Sequence, residues 1–144
     1  MVARKCTPAD AGAMAAGLLV DACGPSPNNS LRMEVVRELA LDLGRRLEAL
    51  SDSEETDALI EAAQACSDLA TLAACNIQDL TEEGRPLATA AVHLAAGATR
   101  ALISLSESKT GSRDESHAEN THRDARSAGW RADLAVRQIE DPQD

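Results

Sequence analysis

Aromatic residues are almost missing from this chain: there is no Phe, no Tyr and a single Trp, Trp130, in 144 residues. That removes the stacked-ring platform on which single-stranded bases are bound. β-Branched residues are also sparse, and Ala and Leu dominate a hydrophobic fraction of 44%. Helices favour Ala and Leu, whereas strands want β-branched and aromatic side chains, so the composition points to an all-α protein. No basic stripe is present, which disfavours direct DNA or RNA binding. The four cysteines, Cys6, Cys23, Cys66 and Cys75, form no CxxC or other metal spacing. Cys66 and Cys75 fall about 13 Å apart on opposite faces of one expected helix, too far to bridge. Cys6 and Cys23 bracket another helix and fail likewise, so four buried, reduced thiols in a cytoplasmic protein are expected.

What is present is acid, and it is unevenly placed. The net charge is −10, and the segment Leu47–Gly84 holds ten acidic residues and no Lys or Arg. The other fourteen acids are balanced by fourteen bases, so one quarter of the chain carries the whole excess. Acids at helix N-termini and solubility account for some of it. Glu48, Asp52, Glu54, Glu55, Asp57 and Glu61 also make a candidate surface for a protein partner with a basic face, or an imitation of a nucleic-acid backbone.

The length suits one domain, able to bury roughly 68–70% of its extended surface around a single core. Thr7–Pro8 reads as an N-cap and first helical residue, with Gly24 as the stop, and Ala11, Met14, Ala15, Leu18 and Ala22 as the buried stripe. The segment MVARK, an apolar run and VDAC ending at Cys23 outline a bacterial lipoprotein signal. Asp21 at a small-residue position, with Thr7, Pro8 and Asp10 before the run, argues against it. A second helix follows Asn29 or Ser30, with Leu31, Val35, Leu39, Leu43, Leu47 and Leu50 as its inner stripe. A third is expected over about 53–80, capped by Ser51 with Glu54 or by Asp52 with Glu55. Leu59, Cys66, Ala73 and Leu80 recur every seven, with Ala62, Leu69 and Ile77 beside them.

Thr81 is expected to cap a fourth helix, in which Pro86–Leu105 has one formal charge in twenty residues, Arg100. Its fourteen charge-free residues, Pro86–Thr99, are too few to span a membrane. It therefore reads as the central rod, flanked by helices two and three and covered by helix one, with Gly97 allowing close approach. The far face of helix three, Gln64, Ser67, Thr71, Ala74 and Gln78, then needs a fifth helix or a second subunit to cover it. A homodimer is expected on that ground. Gly111 marks a loop, and Ser112 with Glu115 opens the last helix, whose residues 113–127 are polar on all sides. The expectation is an antiparallel four-helix bundle core over residues 1–106, with a loop and a looser, more polar fifth helix over 107–144 of the same domain.

Chemistry has few footholds. There is no GxSxG elbow, no P-loop and no GxGxxG. Glu119 with His122, and Asp114 with His117, have the spacing of carboxylate-bridged di-iron bundles, but both pairs share one segment. His117 and His122, five apart, diverge by about 140°. The acid pairs Glu54/Glu55 and Glu82/Glu83 fall at helix starts, where the dipole accounts for them. His93 sits between small residues, Thr89 and Ala90 before it and Ala96 and Gly97 after. That leaves room for a flat ligand or a metal cofactor such as haem, although the commoner use is a core histidine bonded to a neighbouring helix. Trp130, the one bulky aromatic, is either the dock of the last helix or an interface anchor.

The reading is a small acidic cytoplasmic protein that works by protein–protein binding: a regulator, adaptor or inhibitor, including an inhibitor of phage or immunity type that mimics nucleic acid. The alternatives are a ligand-binding or cofactor-binding bundle centred on His93, or an enzyme without a recognisable motif. No cofactor, metal or membrane association is expected.

Overall fold

The structure, a computed structural model, describes residues 6–24, 30–109 and 115–141, with side chains of the last stretch described from Glu119 onward. The proposed loop punctuation at Gly111, the cap at Ser112 and the pair Asp114/His117 lie outside the described residues or side chains. Five helices pack together: α1 (Pro8–Cys23), α2 (Leu31–Leu50), α3 (Thr56–Asn76), α4 (Gly84–Ser108) and α5 (Glu115–Glu140), with a short 3-10 turn at Ile77–Asp79 after α3. No strand occurs among the described residues.

The helix starts follow local chemistry. Thr7 Oγ1 accepts from Asp10 N at 3.3 Å while the Asp10 carboxylate accepts Thr7 N at 2.9 Å, a reciprocal cap. Gly24 ends α1 with φ of 79°, a left-handed value that favours glycine. Ser30 caps α2 by accepting Met33 N at 3.3 Å. At α3 the expected capping box does not form. Ser51 instead donates its hydroxyl to Glu48 O at 2.9 Å, closing α2, and α3 begins later, at Thr56, without a side-chain cap. Thr81 Oγ1 does receive the first N–H of α4, from Gly84 at 3.2 Å.

The hub of the packing is α3, not α4. α3 lies against α1, α2, α4 and α5, and buries Leu59, Ala62, Cys66, Leu69 and Ala73. α4 is enclosed by α1, α3 and α5, while α2 lies on α1 and α3, away from the place expected for it beside α4. Ala91, Ala95 and Ala98 of α4 are buried, but Ala90, His93, Gly97 and Arg100 form an outward edge. Such an edge of small and polar residues exposes little apolar surface, so a helix this neutral need not be fully enclosed.

Two inner stripes follow the expected ones only in part: Ala15 and Ala22 of α1 and Leu47 of α2 are buried as expected, while other positions are turned. On α1, Gly12, Ala15, Ala16 and Leu19 face in, and Met14 is 62% exposed. On α2, Met33, Val36, Ala40 and Leu47 face in, while Leu31, Val35 and Leu39 are exposed. The seam follows small residues: a Cβ on Gly44 would sit 3.1 Å from Ala16 Cβ, and one on Gly12 would sit 2.5 Å from Cys66 Sγ. Small residues at a contact let the two helix backbones approach toward the short end of the usual separation of about 8–10 Å. Gly97 is not part of any such approach, since no atom lies within 4 Å of its Cβ position.

α5 is no loose appendage. Ala125, Ala128, Ala132 and Ala135 bury a small-residue face on α3 and α4. Arg131 pairs with Asp68 of α3, and Arg100 of α4 pairs with Asp133. Ser67 and Ala74 of α3's neutral face are buried, so the uncovered face that called for a second subunit is not there. The buried hydroxyls bond to their own helix: Ser67 to Gln64 O at 2.8 Å and Thr99 to Ala95 O at 2.9 Å.

Candidate functional site: the acidic end of the bundle

The six acids singled out in the sequence gather where α2 ends and α3 begins. Glu48 is on the last turn of α2, Asp52, Glu54 and Glu55 are on the turn, and Asp57 and Glu61 open α3. All six are exposed, the Glu54 side chain by 89%. The turn closes through Ser51 and backbone bonds such as Ser53 N to Leu50 O at 3.1 Å, which leaves its carboxylates at the surface. Lys109, at the end of α4, donates to Glu54 O at 2.9 Å and stands 3.8 Å from Glu54 Oε2.

Beneath this end lies a cavity of about 230 Å³, walled by Pro8, Leu50, Leu59, Ala62, Leu102 and Leu105, with Asp52 and Glu54 at its rim. It has mostly apolar walls and an acidic mouth, with Thr7, Ser51 and Ser53 also on its lining. The arrangement attracts cations and can bury an apolar group. A cavity assembled from four helices has no local sequence signal, which is why the sequence did not reveal it.

Trp130 lies elsewhere, on the outward face of α5, and is 62% exposed. The Arg131–Asp68 pair sets its level beside α3, seven residues beyond Glu61 and so about 10 Å further along the axis. Docking α5 is the work of the alanine face, not of Trp130. Arg123, Arg126, Leu134 and Arg137 are exposed with it. All four lie within about 40° of Trp130 around the helix. Sequence reading passed over this stripe, although its spacing of three and four was visible in the segment after Glu119.

His93 is exposed, in an open hollow along the outer edge of α4 shared with Glu82, Arg85, Pro86, Thr89 and Ala90. Ala96, expected beside it, is turned inward. Cofactor pockets bury most of their ligand, which a hollow on one helix edge does not do. Among the described residues no group of three His, Cys, Asp or Glu side chains is placed to hold a metal. His122 is exposed at the surface.

All four cysteines are free, but only Cys23 and Cys66 are buried; Cys6 and Cys75 are exposed, contrary to the expectation of four buried thiols. Burial pushes the Cys66 thiol up to about 12. Cys23 is also raised by burial, an effect that Arg37 partly offsets. α4 is long and apolar enough, by length and composition, to cross a membrane, yet Ala88, Val92, Ala95 and Leu102 pack in the bundle. Comparison with protein-family models, with curated proteins and with solved structures returns no match.

Proposed function

We propose that this chain acts by binding another protein through its acidic end, as a small regulator, adaptor or inhibitor. The observation that carries the reading is six exposed carboxylates at one end of the fold. Like charges held together in this way raise the local concentration of a basic partner and speed its approach. A basic nucleic-acid groove is one such partner, and an inhibitor that fills it by charge imitation is the version the acidic excess favours. Trp130 adds an exposed anchor of the residue type that dominates interface energetics. The architecture fits this role as an antiparallel four-helix core with α5 laid along it, a rigid frame with the charge at one end. Four free thiols fit a reducing, cytoplasmic setting.

Charge reversal is the test. Glu54→Lys/Glu55→Lys changes the local charge by four and touches no buried side chain. The double variant should keep its helical circular dichroism and lose its partner, and the wild-type complex should weaken steeply with salt. A complex indifferent to both changes refutes the reading.

A further inference from the structure

We infer that a second copy of this chain is a partner of the acidic end, seating its Trp130 in the acid-rimmed cavity. The inference rests on reading that end as a binding surface and names what fills it. Two separate surfaces of one chain carry opposite features: an exposed indole flanked by arginines, and an apolar cavity with carboxylates on its lining.

The first is the outward stripe of α5. Arg123, Arg126 and Arg137 flank Trp130 and Leu134, with exposed Glu119 and Asp141 at the two ends of the same stripe, and none of the three guanidiniums stands in an ion pair with a carboxylate among the described residues. A 62% exposed indole and a 46% exposed Leu134 stand between those arginines. The apolar area is too small for a membrane-surface helix, which needs a continuous apolar face. Its chemistry is that of an interface anchor with a charged surround.

The second is the cavity. An apolar void of about 150 Å³ takes a benzene ring. The 230 Å³ here, walled by Leu50, Leu59, Ala62, Leu102 and Leu105, has room for a bicyclic ring. It is smaller than the roughly 300–1,000 Å³ of small-molecule pockets. Asp52 and Glu54 are on its lining, so carboxylates lie beside the apolar walls that would receive an indole. The chain's own Trp130 does not fill it, because the walls come from α1 to α4 and their connections, and Trp130 points away from the bundle. The net charge of −10 opposes association at long range. Charges separated by more than about 10 Å are largely screened at 0.1 M salt, so the arginines and carboxylates close to the contact decide.

Trp130 is the only tryptophan, so its emission reports its own surroundings. Sedimentation velocity and fluorescence are measured over a concentration series at low and high salt. At low salt the mass should rise from the 15.1 kDa monomer to at least twice that, with a blue shift of the emission, and both should reverse at high salt. Trp130→Ala should abolish association. Ala62→Phe should do so by filling the cavity, and Leu105→Arg, at a 40% exposed position, by placing a like charge at its mouth without disturbing the core. Trp130→Ala keeps the cavity and Leu105→Arg keeps the indole, so mixing these two monomers should give a 1:1 complex. A monomer at every concentration with water-exposed emission overturns the inference, as does association that survives Trp130→Ala or Leu105→Arg, or a mixture that stays monomeric. A monomeric wild type would leave the acidic end as a binder of other proteins, which the Glu54/Glu55 reversal tests separately.

Discussion

Gly12→Ala separates a packed seam from a merely alanine-rich one. On propensity alone, Ala stabilises a helix interior over Gly by about 0.8–1 kcal/mol. At Gly12 the added Cβ would lie 2.5 Å from Cys66 Sγ and 3.0 Å from Leu47 Cδ1. Both side chains are completely buried and have no space to retreat into. Overpacking a core by one methyl costs about 1–3 kcal/mol, so the net effect should be a loss of roughly 1 kcal/mol. At Gly97 no atom lies within 4 Å of the same position, so Gly97→Ala should realise the full propensity gain. For a chain of this length 1 kcal/mol is roughly 3–4 °C in Tm. Urea and thermal unfolding followed by circular dichroism should therefore move in opposite directions for the two variants. A double-mutant cycle adds the cause. In a Cys66→Ala background the clash is relieved, and Gly12→Ala should turn stabilising, a coupling of about 1–2 kcal/mol. If Gly12→Ala stabilises the wild type as much as Gly97→Ala does, the seam between α1, α2 and α3 is not packed as described.

Other consequences follow from the thiols. Cys66 is raised in the folded state from 9.0 to about 12, so its contribution is complete below pH 9 and declines as pH rises toward 12. Stability should fall by up to about 1.4 kcal/mol per pH unit in that window, because only the unfolded chain ionises there, and Cys66→Ala should flatten the slope. Thiol labelling of the native protein with a small maleimide should modify Cys6 and Cys75 quickly, with Cys23 and Cys66 following only on unfolding. Four equal labelling rates would contradict the burial pattern.

The helices themselves were legible because their ends carry local chemistry. Thr7–Pro8 and Gly24 bound α1, Ser30 starts α2, and Leu59, Cys66 and Ala73 lie buried on α3 as their spacing implies, whereas α3 ends at Asn76 and Leu80 is buried beyond the turn that follows it. Which face turns inward was harder to read. In α1 and α2 the eye follows Met14, Leu31, Val35 and Leu39, the large apolar residues, whereas the packing follows Gly12, Ala16, Ala40 and Gly44. Alanine is nearly neutral on a hydrophobic scale, so a periodicity argument cannot tell a small-residue seam from a bland surface. The same ambiguity made α4 look like the central rod, a place that α3 holds. The acidic end was readable because a run of ten acids without a base needs no folding to be noticed. The cavity below it and the arginines around Trp130 depend on which helices meet, and only the packed structure brings them into view.

The claim at the centre is that partner recognition belongs to the carboxylates between Glu48 and Glu61. Its most direct test is quantitative affinity capture from cells of the source organism at low and high salt, with the wild type and Glu54→Lys/Glu55→Lys as paired baits. The account predicts a protein with a basic surface that is retained by the wild type at low salt, released at high salt and absent from the reversed bait. A partner held equally by both baits, at either ionic strength, would contradict it.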